Sequence, residues 1–332
     1  MEEDIHMRDR VKRGVVLVNT GSPSAPTPEA VREYLREFLT DPRIMPMDEK
    51  VWNVILDRFI LPSRSKNSAN LYKQIWTPDG SPLIAIQAKM ASKLDGRMGD
   101  DVMVVSAMNY GEPKLEDAME HLISAGCEKV TVLPTYPQHA YCQASSIKDH
   151  LTHILPNLSE DIEIDFIEEY HDNPLYIRAM SDAISDAGFG TRKGDTLLML
   201  YHSIPVEDIE EGDDYPETTR ESSRLIAEDL ALVEDEWYVG YQSRFDKGRK
   251  WLEPYAKQAV QDAVVMERLF VACPGFSTDC LETLHSLDIE LRDFFAKEHP
   301  GKDYVRVPCL NDGDAHIAAL ADVLERHWAE ES

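Results

Sequence analysis

The stretch Arg268-Leu-Phe-Val-Ala-Cys-Pro-Gly-Phe-Ser-Thr-Asp-Cys-Leu-Glu-Thr-Leu284 decides the fold of this chain. It begins as an apolar strand, is broken by a Pro-Gly pair, and continues into a predicted helix whose first turn carries Glu282. A second apolar run, residues 196–201, is also predicted to be a strand, and His202 stands at its end. In open α/β sheets ligands bind outside the carboxyl ends of the strands, so the two runs predict a ligand site that contains His202 and Glu282.

Both residues also have an ordinary structural interpretation. Asp279-x-x-Glu282 fits a capping box, in which the glutamate bonds only to backbone donors at the start of a helix. A single histidine after an apolar strand is usually a satisfied structural residue. One imidazole and one carboxylate at neighbouring strand ends nevertheless form a pair that can handle protons, and both interpretations stay open at this point.

Length and charge limit the class of protein. A chain of 332 residues is long for one core and sufficient for two domains. Its net charge of −27 argues against nucleic acid or an anionic membrane as a partner, because both need a basic surface. There is no apolar run of 18 residues and no hydrophobic signal core at the amino end, so no integral membrane segment and a cytoplasmic location are expected.

Alternating strand and helix patterns predict an α/β fold. Continuous Val, Ile and Leu runs fit parallel strands that are buried on both faces. Helices between them begin at Thr27-Pro-Glu, at Pro113 and at Tyr215-Pro-Glu. We expect two similar Rossmann-like halves, each a four-stranded parallel sheet flanked by helices, over residues 1–172 and 173–332. The predicted strands are residues 14–20, 102–107, 129–135, 162–168, 196–201, 237–242, 268–272 and 304–309.

Two such halves leave a cleft between them, which is the usual place for a small-molecule site. A nucleotide is disfavoured there, because the first strand ends in Asn19-Thr-Gly-Ser-Pro23, which is neither a Gly-x-Gly-x-x-Gly motif nor a P-loop. Residues 51–62 are apolar and fit the alternating pattern poorly. They predict either core or a hydrophobic lip over the cleft that suits a large flat ligand.

Further motifs follow one another along nearly the whole chain. They include Val16-Leu-Val-Asn-Thr-Gly-Ser-Pro23, Leu61-Pro-Ser-Arg-Ser65, Leu133-Pro-Thr-Tyr-Pro-Gln138, His202-Ser-Ile-Pro205, Glu211-Gly-Asp-Asp-Tyr-Pro216, Gln242-Ser-Arg-Phe245 and Trp251-Leu-Glu-Pro-Tyr255. Together with the stretch that ends at Leu284, this ordered set resembles ferrochelatase, the family of lyases that insert ferrous iron into a porphyrin. The resemblance implies a porphyrin cleft between the two halves.

The resemblance also assigns roles to residues. His202 and Glu282 match the catalytic and metal-contacting positions of the family. Helical spacing of four residues would place Glu282, Ser286 and Glu290 on one face, where the family is thought to pass protons or metal. The positions expected to bind the substrate are Thr20, Ile55, Asn109, Tyr110, Gln242, Ser243, Phe276 and Asp279.

The chemistry expected at this site is simple. Two pyrrole protons must leave a free-base porphyrin as the metal enters, so a nearby base of near-neutral pKa helps, and neutral His202 fits that need. The resemblance places Thr20 where relatives that prefer coproporphyrin carry tyrosine, which favours protoporphyrin IX. Asn109 stands where some relatives carry arginine. The alternatives are a coproporphyrin III ferrochelatase, a cobalt or nickel chelatase for another tetrapyrrole, and a non-catalytic tetrapyrrole or metal carrier.

Cofactor and partner expectations follow from the same motifs. Iron is expected as a substrate and no cofactor is expected to be tightly bound. The five cysteines include no Cys-x-x-Cys pair and no cysteine-rich extension of the kind that holds a [2Fe–2S] cluster in some relatives, so a cluster is not expected. Porphyrin and ferrous iron are the expected partners, with transient contact to an enzyme that delivers porphyrin.

Overall fold

The computed structural model describes residues 13–158, 162–242, 244, 246 and 248–330. Within these ranges the chain forms eight strands, which lie within a few residues of the predicted runs. The strands are β1 Arg13–Ser22, β2 Val102–Gly111, β3 Lys129–Pro134, β4 Glu163–Phe166, β5 Asp195–His202, β6 Trp237–Gln242, β7 Arg268–Ala272 and β8 Asp303–Arg306.

Helices connect the strands. The α-helices are α1 Pro28–Leu39, α2 Glu49–Ile55, α3 Leu61–Ile75, α4 Pro82–Met98, α5 Leu115–Ser124, α6 Ser146–Ile154, α7 Pro174–Asp186, α8 Val206–Glu210, α9 Tyr215–Asp229, α10 Ala256–Asp262, α11 Arg292–Glu298 and α12 Asp314–Glu330. Three segments are π-helical, namely Leu56–Ile60, Tyr141–Ser145 and Glu282–Leu291, and two are short 3₁₀ turns, Leu155–Asn157 and Glu234–Glu236.

The two halves have the same topology. The first sheet has the strand order β2-β1-β3-β4 and the second β6-β5-β7-β8, and every pairing within them is parallel. Each half therefore repeats one pattern, with its first strand at the second position of the sheet. This confirms the predicted fold class of two similar four-stranded parallel sheets with helices around them.

Local sequence explains the strand and helix ends. Val15, Val16, Leu17 and Val18 of β1 are fully buried, as expected for a strand covered on both faces. Helix α1 begins where the side chain of Thr27 accepts the backbone N–H of Ala30, with a proline at the first helical position.

The halves are joined by packing as well as by the chain. One hydrophobic core contains Val15 and Leu17 of the first sheet and Met199 and Phe270 of the second. Helix α12 comes last in the described chain, yet it packs against α4 and α7. At its far end, Trp328 donates from Nε1 to Oγ1 of Thr131 in β3 at 2.9 Å. The division at residues 172 and 173 separates the two sheets but does not separate two independent cores.

The apolar segment after α1 is partly core and partly surface. Trp52, Leu56 and Leu61 are buried, whereas Val51 and Phe59 are exposed. Across the residues that the structure describes, none of the helices combines the length and the apolar character needed to cross a membrane.

Candidate functional site

A cavity of about 380 Å³ lies at the carboxyl edges of both sheets. Its wall contains the ends of the equivalent strands β1 and β5, which carry Thr20 and His202 respectively. The segment after β7 contributes Phe276, Glu282 and Ser286. The two runs that decide the fold therefore meet at one cavity, at the edge where parallel sheets bind ligands.

The ring of His202 is fixed by the backbone beside it. Nδ1 of His202 lies 2.6 Å from the carbonyl oxygen of Ser203. A carbonyl oxygen can only accept a hydrogen bond, so Nδ1 carries the proton and Nε2 of the neutral ring is left as an acceptor. His202 pairs in register with Gln242 of β6, whose carbonyl oxygen accepts the N–H of Ser203 at 2.8 Å. The half-buried imidazole is therefore held in one orientation, with Nε2 as the basic nitrogen whenever the ring is neutral.

Glu282 lies in a largely apolar and phenolic part of the wall. The thiol of Cys280 donates to Oε2 of Glu282 at 3.1 Å. Burial raises the pKa of Tyr34 and Tyr72, and the nearby carboxylate of Glu282 raises both further. The two phenols therefore stay protonated at neutral pH and surround Glu282 with neutral hydroxyl groups.

The stretch before Glu282 is held by Asp279, which is 6% exposed. Its carboxylate accepts hydrogen bonds from Oγ1 of Thr283 at 2.8 Å, Nη1 of Arg306 at 2.8 Å and Nδ2 of Asn311 at 2.9 Å. The Asp279 carboxylate is therefore bonded to three side chains and not to the backbone N–H groups that a capping box would supply. Asp279 lies behind the wall and outside the set of lining residues.

The helix that carries Glu282 is π-helical over Glu282–Leu291. A π-helix bonds each residue to the fifth along and is wider than an α-helix. Ser286 still lines the cavity with Glu282, whereas the side chain of Glu290 is 59% exposed and lies outside the wall. Glu290 is 3.6 Å from Nδ1 of the buried His285.

The floor of the cavity joins the two halves directly. Nδ2 of Asn19 donates to Oγ1 of Thr278 at 3.2 Å, and the hydroxyl of Tyr136 donates to Oδ1 of Asn19 at 3.3 Å. Thr20 Oγ1 is hydrogen-bonded to the hydroxyl of Tyr136. A methyl group at Gly21 would lie 1.9 Å from the carbonyl oxygen of Tyr110, so the strand can pass here only as glycine.

Besides Asp279, four further predicted substrate contacts do not line the cavity. Ile55 packs in the cluster under α1 and α3. Nδ2 of the buried Asn109 donates to Oγ of Ser146 at 2.8 Å, and the hydroxyl of Tyr110 donates to Oδ2 of Asp41 at 2.6 Å. The fourth is Gln242, which is 4% exposed. Ser243 lies outside the described residues. The roles of these residues toward a ligand stay predictions.

Charged residues that the sequence analysis did not single out stand around the cavity. Among the described lining residues, four are arginines and one, Glu282, is a carboxylate. This wall is strongly basic in a chain of net charge −27. A sequence signal existed, because two of these arginines lie inside the motifs Leu61–Ser65 and Gln242–Phe245. The arginines are Arg43, Arg64, Arg244 and Arg249.

Two of these arginines are held by ion pairs. Nε of Arg43 is 2.6 Å from Oδ2 of Asp149, and Nη2 of Arg249 is 2.8 Å from Oδ2 of Asp246. Burial lowers the pKa of Arg64, which is consistent with a guanidinium that is partly removed from water.

The thiols near the cavity are poor metal ligands in their resting state. Burial raises the pKa of Cys142 to about 12. Burial also raises the pKa of Cys280, and the charge of Glu282 raises it further. Metals bind the thiolate and not the thiol, so neither cysteine presents a ready soft ligand at neutral pH.

Comparison with known proteins identifies relatives over nearly the whole chain. The family model described as ferrochelatase matches residues 12–328. A ferrochelatase of Actinobacillus pleuropneumoniae serotype 7 is 39% identical over 319 residues, covering 95% of this chain and 98% of its own length. A ferrochelatase of Janthinobacterium sp. is 40% identical over 321 residues, covering 95% of this chain and 87% of its own.

Solved structures share the fold at low sequence identity. SirB from Bacillus subtilis with Fe³⁺ superposes with a TM-score of 0.53 at 11% identity and covers 95% of both chains. CbiX, the terminal enzyme for biosynthesis of siroheme in denitrifying bacteria, gives a TM-score of 0.50 at 14% identity, covering 95% of this chain and 99% of its own. These likenesses concern the fold of two parallel sheets.

Proposed function

The chain belongs to the ferrochelatase family, which inserts ferrous iron into a porphyrin with loss of two pyrrole protons, and we propose that it does so in the cavity at the strand ends, with protoporphyrin IX as substrate. His202 accepts the pyrrole protons and Glu282 assists it. The product is heme. Each free-base porphyrin and each ferrous ion yield one heme and two protons, so charge and atoms balance without a redox partner.

The observation that supports this placement best is the charge of the wall. A porphyrin is a flat apolar ring with anionic propionates at its edge, and its recognition needs cations beside an apolar surface. Four arginines supply the cations, and Leu35, Phe38, Leu71 and Phe276 supply apolar surface. In a chain this acidic, arginines gathered around one cavity are the groups that would attract a dianionic ligand.

His202 has the properties of the first proton acceptor. Its Nδ1 proton is committed to Ser203, so Nε2 is the atom that can take a pyrrole proton. A neutral imidazole can accept a proton, as a general base must. The hydrogen bond to Ser203 also stabilises the imidazolium that forms, because Nδ1 remains a donor in the charged ring.

Glu282 balances charge in the same cavity as His202. Its carboxylate would attract the incoming ferrous ion and the protons that leave, while protonated Tyr34 and Tyr72 beside it carry no competing charge. Iron must be released into the ring and not kept by the protein. Protonated thiols at Cys142 and Cys280 support a site that holds ferrous iron weakly and needs no resident cluster.

The part of the wall around Thr20 bears on the choice between protoporphyrin IX and coproporphyrin III. Thr20 is bonded to Tyr136 and supplies no phenol of its own, and the surrounding apolar side chains suit vinyl and methyl substituents. Both features support protoporphyrin IX. Coproporphyrin III, which carries four propionates, is the second candidate, and the presence of four arginines favours it.

We also propose that the protein makes transient contact with the enzyme that delivers its porphyrin. Val51, Val54 and Phe59 are exposed on the segment before α3, the helix that carries the lining residues Arg64 and Tyr72. Exposed apolar side chains of this kind are typical of surfaces that meet another protein.

One anaerobic assay tests the proposal. Purified protein is mixed with ferrous iron and with protoporphyrin IX or coproporphyrin III, and heme absorbance is followed over many turnovers. Turnover with a larger kcat/KM for protoporphyrin IX is the expected result, and a larger value for coproporphyrin III would reverse the substrate assignment. Tight porphyrin binding without turnover would indicate a carrier, and turnover with cobalt or nickel but not iron would indicate another chelatase.

A further inference from the structure

A group of metal-binding side chains lies outside the cavity wall. His139, Asp213 and Asp214 each offer a ligand atom, and the three atoms lie within 4.8 Å of one another. Ligand atoms at about 2.1 Å from one tetrahedral ion are about 3.4 Å apart, so the three atoms would have to move together by up to about 1.4 Å to bind an ion. His139 follows β3 of the first half, and the two aspartates precede α9 of the second half.

The buried member of the group is already oriented. Asp213 is 2% exposed, and its Oδ2 accepts the N–H of Tyr141 at 2.7 Å while its Oδ1 accepts the N–H of Tyr215 at 3.0 Å. Each carboxylate oxygen has a second lone pair, so both remain able to bind a cation. The two backbone bonds hold the carboxylate in place before any ion arrives.

The other two members are also free for coordination. Nε2 of His139 is hydrogen-bonded to Oγ of Ser145 at 2.8 Å. If the ring donates this bond, its other nitrogen is the unprotonated one, which is the usual arrangement of a ligating histidine. Asp214 stands at the N-cap of α9, yet its side chain makes no capping hydrogen bond there. Its carboxylate is therefore not committed to the helix.

Charge around the group favours a cation. Residues 207–214 contain six carboxylates. Carboxylates in such a field repel one another, and a divalent ion would relieve the repulsion.

We propose that His139, Asp213 and Asp214 bind one divalent transition-metal ion at a structural site separate from the cavity. One imidazole with two carboxylates suits Fe²⁺, Mn²⁺, Co²⁺ or Zn²⁺ and suits neither a soft copper(I) ion nor an all-oxygen Ca²⁺ site. The ion would tie the loop after β3 to the loop before α9, and so the first half to the second. Cys142 and Gln143, which follow the histidine, line the cavity, so the ion would also steady part of its wall.

Binding of Co²⁺ to metal-free, full-length protein tests this site by calorimetry and by the cobalt absorption bands. The His202→Ala variant separates the site from the cavity, and it is expected to keep this ion. The variants His139→Gln and Asp214→Asn are expected to weaken binding about tenfold or more. Glu211→Gln removes the same charge from the same loop outside the group of three and is expected to bind Co²⁺ as tightly as the wild type.

Two results would overturn the site. One is Co²⁺ binding by His139→Gln and Asp214→Asn that matches the wild type. The other is a loss in Glu211→Gln as large as in Asp214→Asn, which would mean that only the acidic field attracts the ion. If His139→Gln does not fold, as judged by its circular dichroism and melting without metal, Asp214→Asn decides alone, since its side chain has no capping bond to lose.

Discussion

Nδ1 of His202 donates to the carbonyl oxygen of Ser203 across 2.6 Å, so the backbone of one residue fixes the tautomer of the other. The pair stands at the end of β5, where the strand edge opens into the cavity. The orientation of the imidazole depends on a main-chain group, which side-chain substitution does not remove.

Replacement of His202 by alanine separates proton transfer from binding. We expect kcat for iron insertion to fall by about 10²–10⁴-fold, the usual contribution of a general base, with porphyrin affinity nearly unchanged. Ser203→Ala keeps the carbonyl oxygen and is the matched control, so it should retain most of the wild-type rate. Steady-state kinetics and fluorescence titration with porphyrin measure the two effects. A His202→Ala enzyme that keeps most of its rate would refute the assignment of the base.

Replacement of Arg64 by methionine tests the basic wall. Loss of a charged hydrogen bond costs about 1.5–3 kcal/mol, which corresponds to a rise in KM for porphyrin of about ten- to a hundredfold. Added salt should weaken binding by the wild type more than by the variant, because one of the attracting charges is gone. Arg58 is exposed and lies outside the wall, so Arg58→Met serves as the control and should leave KM unchanged. An equal effect of both substitutions on KM would mean that Arg64 has no specific role.

The ion pair between Arg306 and Asp279 predicts a stability effect. Nη1 of Arg306 is 2.8 Å from Oδ1 of Asp279, and their side chains are 12% and 9% exposed. Arg306→Met leaves the carboxylate buried without its cation, and we expect a loss of about 3–5 kcal/mol in the free energy of unfolding. Arg326→Met, whose pair with Asp322 is at the surface, should lose less than about 1 kcal/mol. Denaturant unfolding compares them, and similar losses would contradict the structural role of Asp279.

His316 predicts a loss of stability in acid. This histidine is 1% exposed, and burial lowers its pKa from 6.5 to about 4. The unfolded chain therefore binds a proton before the folded chain does, so stability is complete above pH 6.5 and falls as the pH drops from 6.5 to 4. Across the whole range from pH 6.5 to pH 4, the loss in the free energy of unfolding is about 3 kcal/mol. His316→Leu should show a smaller drop across this window in urea unfolding, and an unchanged drop would exclude His316 as its source.

Strand positions could be predicted from the sequence because the buried runs are continuous and end at turn residues. β6 and β7 begin and end where the sequence pattern placed them. β1 and β2 extend further, to Ser22 and Gly111, since the polar residues after the apolar run keep pairing in register. Polar residues at a strand end look like a loop in the sequence. Whether they continue the strand depends on pairing with the neighbouring strand, which the sequence pattern does not show.

The sequence predicted several residues that meet at the cavity but not the charge of its wall. His202, Glu282, Thr20, Phe276 and Ser286 line one cavity. The arginines escaped notice because they come from four separate segments that the fold brings together. The sequence predicts an α-helix after Leu281, whereas the segment Glu282–Leu291 is π-helical and the side chain of Glu290 is exposed. Propensity patterns do not distinguish these two helices.

The last helix has a consequence for biosynthesis. Trp328 bonds to Thr131 and His327 bonds to Asp165, and both partners lie in the first sheet. The first sheet is therefore without these two contacts until the end of α12 has left the ribosome. Assembly of the first half therefore cannot be completed in the order of translation. A nonsense codon shortly before Trp328 would spare every residue of the cavity and still leave the nascent product unfinished.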